Sequence, residues 1–288
     1  MLPRMIRFPF MVLLVAAACK PEASPPPATA SSASSASPAP AAGMGVPWKP
    51  AERLKVRVLA SVPHDAEAYT QGLVWSDGML YESAGQYGQS SLRQVDPKTG
   101  EVLRSVQVPQ RYFAEGLARV GDRLIQLTWQ EGAAFLYDLA TFERRGELPY
   151  SGEGWGLCWD GKRLIMSDGS DRLTFRDPAT FAATGGVSVT LDGQPVMRLN
   201  ELECVDGAVW ANVWQSDAIL RIDPETGRVA AAVDASGLLT PEEAARAEVL
   251  NGIAYKPETK TFLITGKYWP KMFEVVFEPY GSTDGRNR

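Results

Sequence analysis

The sequence predicts an all-β fold, a five-bladed β-propeller, because two short motifs recur along the chain with strand-like segments between them. The first is the Gly-Leu motif, a polar or aromatic residue followed by Gly-Leu or a close variant. It occurs five times, at spacings of 44, 40, 45 and 51 residues, which is one copy for each predicted blade. The five copies begin at Gln71, Glu115, Trp155, Asn200 and Asn251.

The second is the Asp turn, which lies 22 to 25 residues after the start of each of the first four Gly-Leu motifs. In its fullest form, Asp-Pro-x-Thr-Gly, Asp and Pro occupy the first two positions of a type I turn. We therefore expect it to separate the third strand of a blade from the fourth. The four copies begin at Asp96, Asp138, Asp177 and Asp223.

The other strands of each blade follow from turn signals. Second strands are predicted at 80–82, 124–128, 164–167, 209–213 and 262–265, third strands at 91–95, 133–137, 172–176 and 219–222, and a fourth strand at 102–108 with its equivalents. The last repeat ends with the strand 272–277 and lacks a fourth. We expect the N-terminal strand 54–61 to complete this last blade and close the ring, which removes exposed sheet edges. Thr240-Pro241-Glu242-Glu243 predicts a short inserted helix.

Residues 1–18 have the pattern of a secretory signal peptide, with two arginines followed by an apolar run that ends in three alanines. The run is too short to span a bilayer as a helix. The alanines precede Cys19 and resemble a bacterial lipoprotein cleavage box, which predicts lipidation of Cys19. Ala16 stands where Leu is usual, so cleavage after Ala18 without lipidation is the alternative. We expect an exported protein, in the periplasm or anchored by lipid to the outer membrane of a bacterium, with secretion as the alternative.

The composition separates a tether from a folded body. Residues 19–47 are rich in Pro, Ala and Ser, which bury too little apolar surface to fold. The propeller domain is then expected over 48–280, followed by a polar tail at 281–288. The net charge is −5 without a basic run, which argues against nucleic acid as a partner. One histidine and three cysteines leave no evident metal site, so no metal or other cofactor is expected, and we expect a monomer.

The Gly-Leu motifs predict a ligand site. The first strands of a propeller line its channel, so the residues that begin the motifs form a ring at one mouth. Trp129 and Trp214 lie fourteen residues after two members of this ring, and Lys267 lies near the matching position of the fifth blade. A packed core explains the indoles. It does not explain the carboxylate and amides of the ring, because buried polar groups need partners or a ligand.

Several motifs, in the same order along the chain, resemble those of the plant and bacterial glutaminyl-peptide cyclotransferases. They are Tyr69-Thr-Gln-Gly-Leu, Phe113-Ala-Glu-Gly-Leu, Leu127-Thr-Trp129, Gly154-Trp155-Gly-Leu, Leu199-Asn-Glu-Leu-Glu203, Ala211-Asn-Val-Trp214 and Thr265-Gly-Lys-Tyr-Trp-Pro-Lys271. The resemblance runs from about His64 to Phe277, and it implies a five-bladed propeller without a catalytic metal. It also implies conversion of the N-terminal glutamine of peptides and proteins to pyroglutamate with loss of ammonia. Tyr69 stands where Phe is common in that family, and Ala84 where Thr is common.

That reaction suggests roles for the ring. The α-amine attacks the γ-carboxamide carbon, so a base must take a proton and the leaving ammonia must receive one. Glu115, the acid of the ring, is the expected carrier, and indole walls would raise its pKa. Lys267 and Asn200 join Glu115 as expected catalytic residues, with Gln71 as a further candidate donor to the oxyanion. The residues expected to bind substrate are Gln71, Tyr69, Glu82, Trp129, Trp155, Trp214, Glu201 and Asn251.

Other carboxylates are rivals of Glu115. Glu82 is expected to orient the substrate amine, whereas Glu201 and Glu203 are expected to hold neighbouring blades together. His64 is expected to serve a turn. Strand alternation places the side chains of Cys158 and Cys204 on opposite faces of neighbouring first strands. We therefore expect two free thiols.

Two other functions are compatible with the pattern. The main alternative is a non-catalytic propeller that binds peptides or sugars through the same aromatic funnel. A metal-dependent lactonase or a quinoprotein propeller would need metal ligands, and none are evident in the sequence.

Overall fold

The Asp turns form as the sequence predicts. The carboxylate of Asp96 accepts hydrogen bonds from the backbone N–H groups of Lys98 (2.7 Å) and Thr99 (3.1 Å). These bonds satisfy backbone donors that the turn would otherwise leave unpaired, which is why Asp is favoured at this position. The other three turns bind the N–H group two residues after their aspartate in the same way, at Asp138, Asp177 and Asp223.

The computed structural model describes residues 49–281, and these residues form an all-β architecture. The signal, lipidation and tether predictions for 1–47 lie outside these residues. The first strand is β1 (Glu52–Pro63). Three antiparallel four-stranded sheets follow: β2 (Thr70–Ser76), β3 (Met79–Ala84), β4 (Ser91–Val95) and β5 (Val102–Gln107); β6 (Ala114–Val120), β7 (Arg123–Thr128), β8 (Ala133–Asp138) and β9 (Arg144–Pro149); β10 (Leu157–Trp159), β11 (Leu164–Ser167), β12 (Arg172–Arg176) and β13 (Ala183–Ser188).

The rest of the chain forms a hairpin, a short helix and an eight-stranded sheet. The hairpin is β14 (Thr190–Leu191) and β15 (Gln194–Pro195). The helix, α1 (Pro241–Ala244), lies where Thr240 and Glu243 form the predicted capping box. No helix within residues 49–281 is long and apolar enough to cross a membrane. The large sheet contains β1 with β16 (Leu199–Val205), β17 (Ala208–Val213), β18 (Ala218–Ile222), β19 (Val229–Asp234), β20 (Leu250–Lys256), β21 (Thr261–Gly266) and β22 (Lys271–Pro279).

Strand β1 joins the four strands β16–β19 to the three strands β20–β22 in the large sheet, whose order is β16-β17-β18-β19-β1-β22-β21-β20. Its antiparallel pairing with β22 runs from Leu54 to Pro63. The N-terminal strand therefore completes the last repeat, as the sequence predicts. The first residues of β1, from Glu52 to Lys55, also pair in parallel with β19, which the sequence did not indicate.

The first strands of the repeats meet at the Gly-Leu motifs. Strands β2, β6, β10, β16 and β20 contact one another in cyclic order. A Cβ atom on Gly116 would lie 2.6 Å from the backbone nitrogen of Leu157, and one on Gly156 would lie 2.0 Å from the carbonyl oxygen of Asn200. Glycine is needed there because the neighbouring backbone occupies the space of a side chain. The ladder also shifts register at the motifs of β2, β6, β16 and β20, and such bulges re-aim side chains.

The hydrophobic core lies between neighbouring sheets. Leu92 of the first sheet packs in one buried cluster with Leu117 and Leu124 of the second. Ile125 of the second sheet packs with Leu157 of the third. Each such side chain contributes about 1.5–3 kcal/mol to folding when fully buried, so the stacked sheets stabilise one another.

Cys158 and Cys204 form a disulfide, with their Cα atoms 5.4 Å apart, so the expectation of free thiols is wrong. Cys158 lies in β10 and Cys204 in β16, and these strands belong to sheets that pack on each other. In a stack, the two faces that meet are opposite faces of the two sheets. Opposite alternation therefore brings the two side chains together instead of separating them.

Candidate active site

Aromatic and polar side chains line a cavity of about 240 Å³ where the Gly-Leu motifs begin. We call it the pocket, and its lining residues are Tyr69, Gln71, Phe113, Glu115, Trp129, Trp155, Asn200, Trp214 and Lys267. Eight of the eleven residues that the sequence assigns to catalysis or substrate binding are therefore together. Glu82, Glu201 and Asn251 do not line the pocket, and Phe113 is an additional wall residue.

Glu115 is a buried acid in the pocket wall, with 5% of its surface exposed. Its Oε1 atom accepts a hydrogen bond of 2.8 Å from Nε2 of Gln71. Burial raises the pKa of Glu115 well above its usual value, and the nearby cation of Lys267 opposes that rise without cancelling it. The carboxyl group is thus able to carry a proton at a pH where an exposed glutamate is ionised.

Asn251 lies behind Gln71 and fixes its orientation. The Asn251 Nδ2 atom donates to the carbonyl oxygen of Thr70 at 2.9 Å and to Oε1 of Gln71 at 3.1 Å. The Gln71 oxygen is therefore turned toward Asn251 and its nitrogen toward Glu115. Asn251 was expected to bind substrate, but it does not line the pocket and instead contacts Gln71.

Lys267 is almost completely buried, with 3% of its surface exposed. Its Nζ atom lies 4.5 Å from the centre of the Tyr69 ring, which is close enough for a cation–π interaction. Burial lowers the pKa of Lys267, while the carboxylates of Glu115 and Glu248 oppose that change. Its backbone is held by bonds to Glu248 and Val249, the segment that leads into β20.

Asn200 presents an unsatisfied oxygen. Its Oδ1 atom is buried and has no hydrogen-bond partner among the residues that the structure describes. Its backbone carbonyl oxygen accepts a bond of 2.6 Å from the hydroxyl group of Ser167, which anchors the main chain. A buried acceptor on a cavity wall needs a donor, and a ligand in the pocket would supply it.

The indole walls are held by Glu153, a residue that the sequence analysis missed. Its Oε2 atom accepts hydrogen bonds from Nε1 of Trp129 at 2.8 Å and from Nε1 of Trp155 at 2.9 Å. Burial opposes ionisation of Glu153, but these bonds and one from Gln130 lower its pKa. Trp214 meets Trp155 edge to face, with ring centres 5.6 Å apart. The only sequence signal for Glu153 is its position two residues before Trp155.

Glu82 lies in a separate buried cluster, so the structure does not support a contact with the substrate amine. Its Oε1 atom bonds to Nε2 of His64 at 3.0 Å and to the hydroxyl group of Thr70 at 2.7 Å. The other ring nitrogen of His64 bonds to the carbonyl oxygen of Trp269 at 2.7 Å. Burial opposes both charges, yet the pKa of Glu82 is lowered and that of His64 is raised because each stabilises the other. His64 therefore has a buried partner and not merely a place in a turn.

Glu201 and Glu203 hold neighbouring strands, which is the alternative role that the sequence suggested for them. Glu201 replaces the glycine of the fourth motif, and its carboxyl group accepts bonds from the backbone nitrogens of Leu73 (3.3 Å) and Ile253 (2.8 Å). Glu203 accepts a bond of 2.8 Å from the nitrogen of Tyr255. Burial raises the pKa of Glu201 well above its usual value and that of Glu203 to about 8. Glu201 was expected to bind substrate, but it is occupied by these two bonds.

The donor sets do not point to a metal. Within residues 49–281 there is no group of three or more His, Cys, Asp or Glu side chains arranged to hold an ion. Besides the Tyr69 hydroxyl group and the indole N–H groups, the lining of the pocket contributes one carboxylate, one amine and two amides. The chemistry it offers is proton transfer and hydrogen bonding beside an aromatic wall.

Comparison with known proteins agrees with the resemblance seen in the motifs. Residues 28–277 match the model of the glutamine cyclotransferase family. The chain is 39% identical over 236 residues to a glutaminyl-peptide cyclotransferase of Arabidopsis thaliana, an alignment that covers 80% of this chain and 74% of the relative. It also matches the crystal structure of Myxococcus xanthus glutaminyl cyclase with a TM-score of 0.73 and 42% identity, over 80% of this chain and 99% of the other.

Proposed function

The chain belongs to the glutamine cyclotransferase family and its activity is that of a glutaminyl-peptide cyclotransferase, and on this premise we propose how the pocket works. The substrates are peptides and proteins that begin with glutamine. The neutral α-amine attacks the γ-carboxamide carbon and loses one proton as the lactam C–N bond forms. The leaving NH2 group gains one proton as the other C–N bond breaks, and ammonia departs. The pocket must therefore move a proton between two nitrogens of one residue.

Glu115 carries that proton, and its burial in the pocket wall is the observation on which the proposal depends. An α-amine has a pKa of about 8, so a base is needed to free it near neutral pH. The raised pKa of Glu115 brings the carboxyl group toward the range in which it can both accept and donate a proton. Gln71 occupies Oε1 of Glu115, which leaves Oε2 for the substrate.

Lys267 stabilises the charge that develops on the γ-carbonyl oxygen. Of the three candidates for this role, Gln71 already directs its nitrogen to Glu115, and Asn200 has an unsatisfied oxygen to offer. Lys267 presents a buried amine whose charge the low-polarity wall does not screen, and such donors are most effective away from water. Asn200 instead accepts a hydrogen bond from a substrate N–H group and so orients the glutamine.

The aromatic walls limit what enters. A cavity of about 240 Å³ is small beside common ligand pockets of roughly 300–1,000 Å³, so it admits one residue and not a folded segment. The indoles and the rings of Tyr69 and Phe113 pack on the methylene groups of glutamine and exclude water. Exclusion of water also maintains the raised pKa of Glu115.

The repeats are the five blades of a propeller in this proposal. Each four-stranded sheet is one blade, and the large sheet supplies two, β16–β19 and β20–β22 with β1. The cyclic contacts among the first strands support this view, because the first strands of a propeller surround its channel.

The protein is exported in this proposal, with the signal at 1–18 removed and the tether at 19–47 linking a lipidated Cys19 to the domain at 48–280. The disulfide between Cys158 and Cys204 supports an oxidising location, because disulfides form and persist outside the reducing cytosol.

Mass spectrometry of a synthetic peptide with N-terminal glutamine tests the function. We expect a loss of one ammonia per peptide with the purified enzyme, and no change in a control peptide that begins with asparagine, whose shorter side chain cannot close a five-membered lactam. A peptide that binds but keeps its mass would favour the non-catalytic alternative.

A further inference from the structure

Two further cavities lie beside the pocket in a row, because each shares lining residues with the next. Tyr69 and Trp214 belong both to the pocket and to a proximal groove of about 550 Å³. Ser216 and Asp217 belong both to the proximal groove and to a distal groove of about 720 Å³, which reaches Arg53 of β1. Each cavity therefore shares a wall with the next.

A peptide substrate needs such a path. The pocket has room for one residue, and cyclisation takes place entirely within that residue. The carbonyl group of the first glutamine remains attached to the rest of the substrate, so every following residue must leave the pocket across its rim. Tyr69 and Trp214 line both the pocket and the proximal groove, so this groove lies next to the rim that the substrate must cross.

The walls of the proximal groove carry negative charge. Glu248 is exposed there, and its carboxylate interacts with the Tyr69 hydroxyl group, whose pKa is raised chiefly by burial and then by that carboxylate. Asp217 is also exposed, and within residues 49–281 its carboxylate makes no hydrogen bond or ion pair. Asp234 continues the series in the distal groove, where it accepts a bond from the hydroxyl group of Tyr280.

The cations near the path lie at its ends or beside its walls. Lys267 is buried in the pocket. Arg198 donates to Oε1 of Gln215 and lies over the Trp214 ring, on the side chain that separates the pocket from the groove. Arg53 lies in the distal groove beyond Asp217. The lining of the proximal groove therefore contributes two carboxylates and no cation of its own, with the charge of Arg198 beside it on Gln215.

We infer that the two grooves bind the substrate residues that follow the N-terminal glutamine, and that the acidic proximal groove selects lysine or arginine over aspartate or glutamate at the first of these positions. The inference rests on the proposed function, because it requires glutamine to occupy the pocket. It adds a specificity that the pocket alone does not supply.

The test compares kcat/KM for two amidated peptides that differ at the second residue, Gln-Lys-Ala-Ala and Gln-Glu-Ala-Ala. One exposed ion pair changes an equilibrium by up to about fivefold. The lysine peptide gains an attraction to the groove where the glutamate peptide meets a repulsion, so we expect a preference of roughly fivefold or more for the lysine peptide. Salt should weaken this preference, because exposed charges are screened.

Asp217→Lys should abolish or reverse the preference. Asp122→Lys is the matched control, because Asp122 is also exposed but lies in the β6–β7 turn, at the opposite end of the strand from the motif. Equal kcat/KM for the two peptides in the unmodified enzyme, or equal effects of the two substitutions, would overturn the inference while leaving the activity intact. No ammonia from either peptide would instead refute the proposed function.

Discussion

Replacing Glu115 by glutamine removes the proposed proton carrier and little else. The side chain keeps its size, and its carboxamide oxygen can still accept the bond from Nε2 of Gln71. General acid–base catalysis by a positioned side chain contributes about 10²–10⁴-fold, or about 3–5 kcal/mol of transition-state stabilisation. We therefore expect kcat for Glu115→Gln to fall by that factor, with a small change in KM because the walls of the pocket remain.

The same substitution, which lowers turnover, should raise the stability of the fold relative to the unmodified protein as the pH rises. The folded pKa of Glu115 is raised above its unfolded value, so its contribution to stability is present at low pH and is lost as the pH rises through the folded pKa. Glutamine has no such loss. The melting temperature of Glu115→Gln relative to the unmodified protein should therefore rise between pH 5 and pH 8, to be measured by thermal unfolding.

Ammonia release from a peptide with N-terminal glutamine is the assay, with Glu203→Gln as the matched control. Glu203 also has a raised pKa and loses the same carboxylate in this variant, but it bonds to the backbone of Tyr255 and does not line the pocket. Turnover by the control should change little. Near-normal turnover of Glu115→Gln, or equal losses in both variants, would show that the proton travels by another route.

Four further outcomes are expected. Lys267→Met should lower kcat by about 10²–10³ with little effect on KM in steady-state kinetics, because a donor to the oxyanion acts mainly in the transition state. The pair of His64 and Glu82 should stabilise the fold most between about pH 5 and pH 6.5, because the pKa of Glu82 is lowered and that of His64 is raised. The difference in melting temperature between the unmodified protein and His64→Gln should shrink as the pH falls through the pKa of Glu82 or rises through that of His64. Turnover should survive dialysis against EDTA, and a loss restored by a divalent ion would contradict the metal-free route. The unmodified protein should partition into detergent and Cys19→Ala should not, whereas equal partition of both would favour simple cleavage after Ala18.

The strands and turns were predictable because their signals are local. The Asp turns bind their own backbone within three residues, and the capping box at Thr240 closes within one helical turn. Predicted second strands such as 124–128 and 164–167 differ from the observed ones by one residue or less. The place of the N-terminal strand was predictable, because the last repeat lacked a fourth strand and the strand 54–61 belonged to no repeat.

The part of the pocket that was predictable is the part formed by residues that begin the Gly-Leu motifs. Gln71, Glu115, Trp155 and Asn200 share one place in successive repeats, so a ring of strands brings them together whatever the details of packing. Asn251 shares that place as well, yet it turns to Gln71 and lies behind the wall. Equivalence in a repeat determines where the backbone lies, but hydrogen-bond partners decide where each side chain points.

The sequence by itself determined the strand pattern, the turns, the family and most of the residues that meet at the pocket. The tertiary structure alone decided that Cys158 joins Cys204, that Glu82 pairs with His64 and that Glu153 anchors two indoles. The disulfide joins two repeats, the second contact joins the connection after β1 to strand β3, and the third depends on the conformation of the loop between β9 and β10. Such contacts are set by how the sheets stack and how the ring closes, and strand alternation carries no information about either.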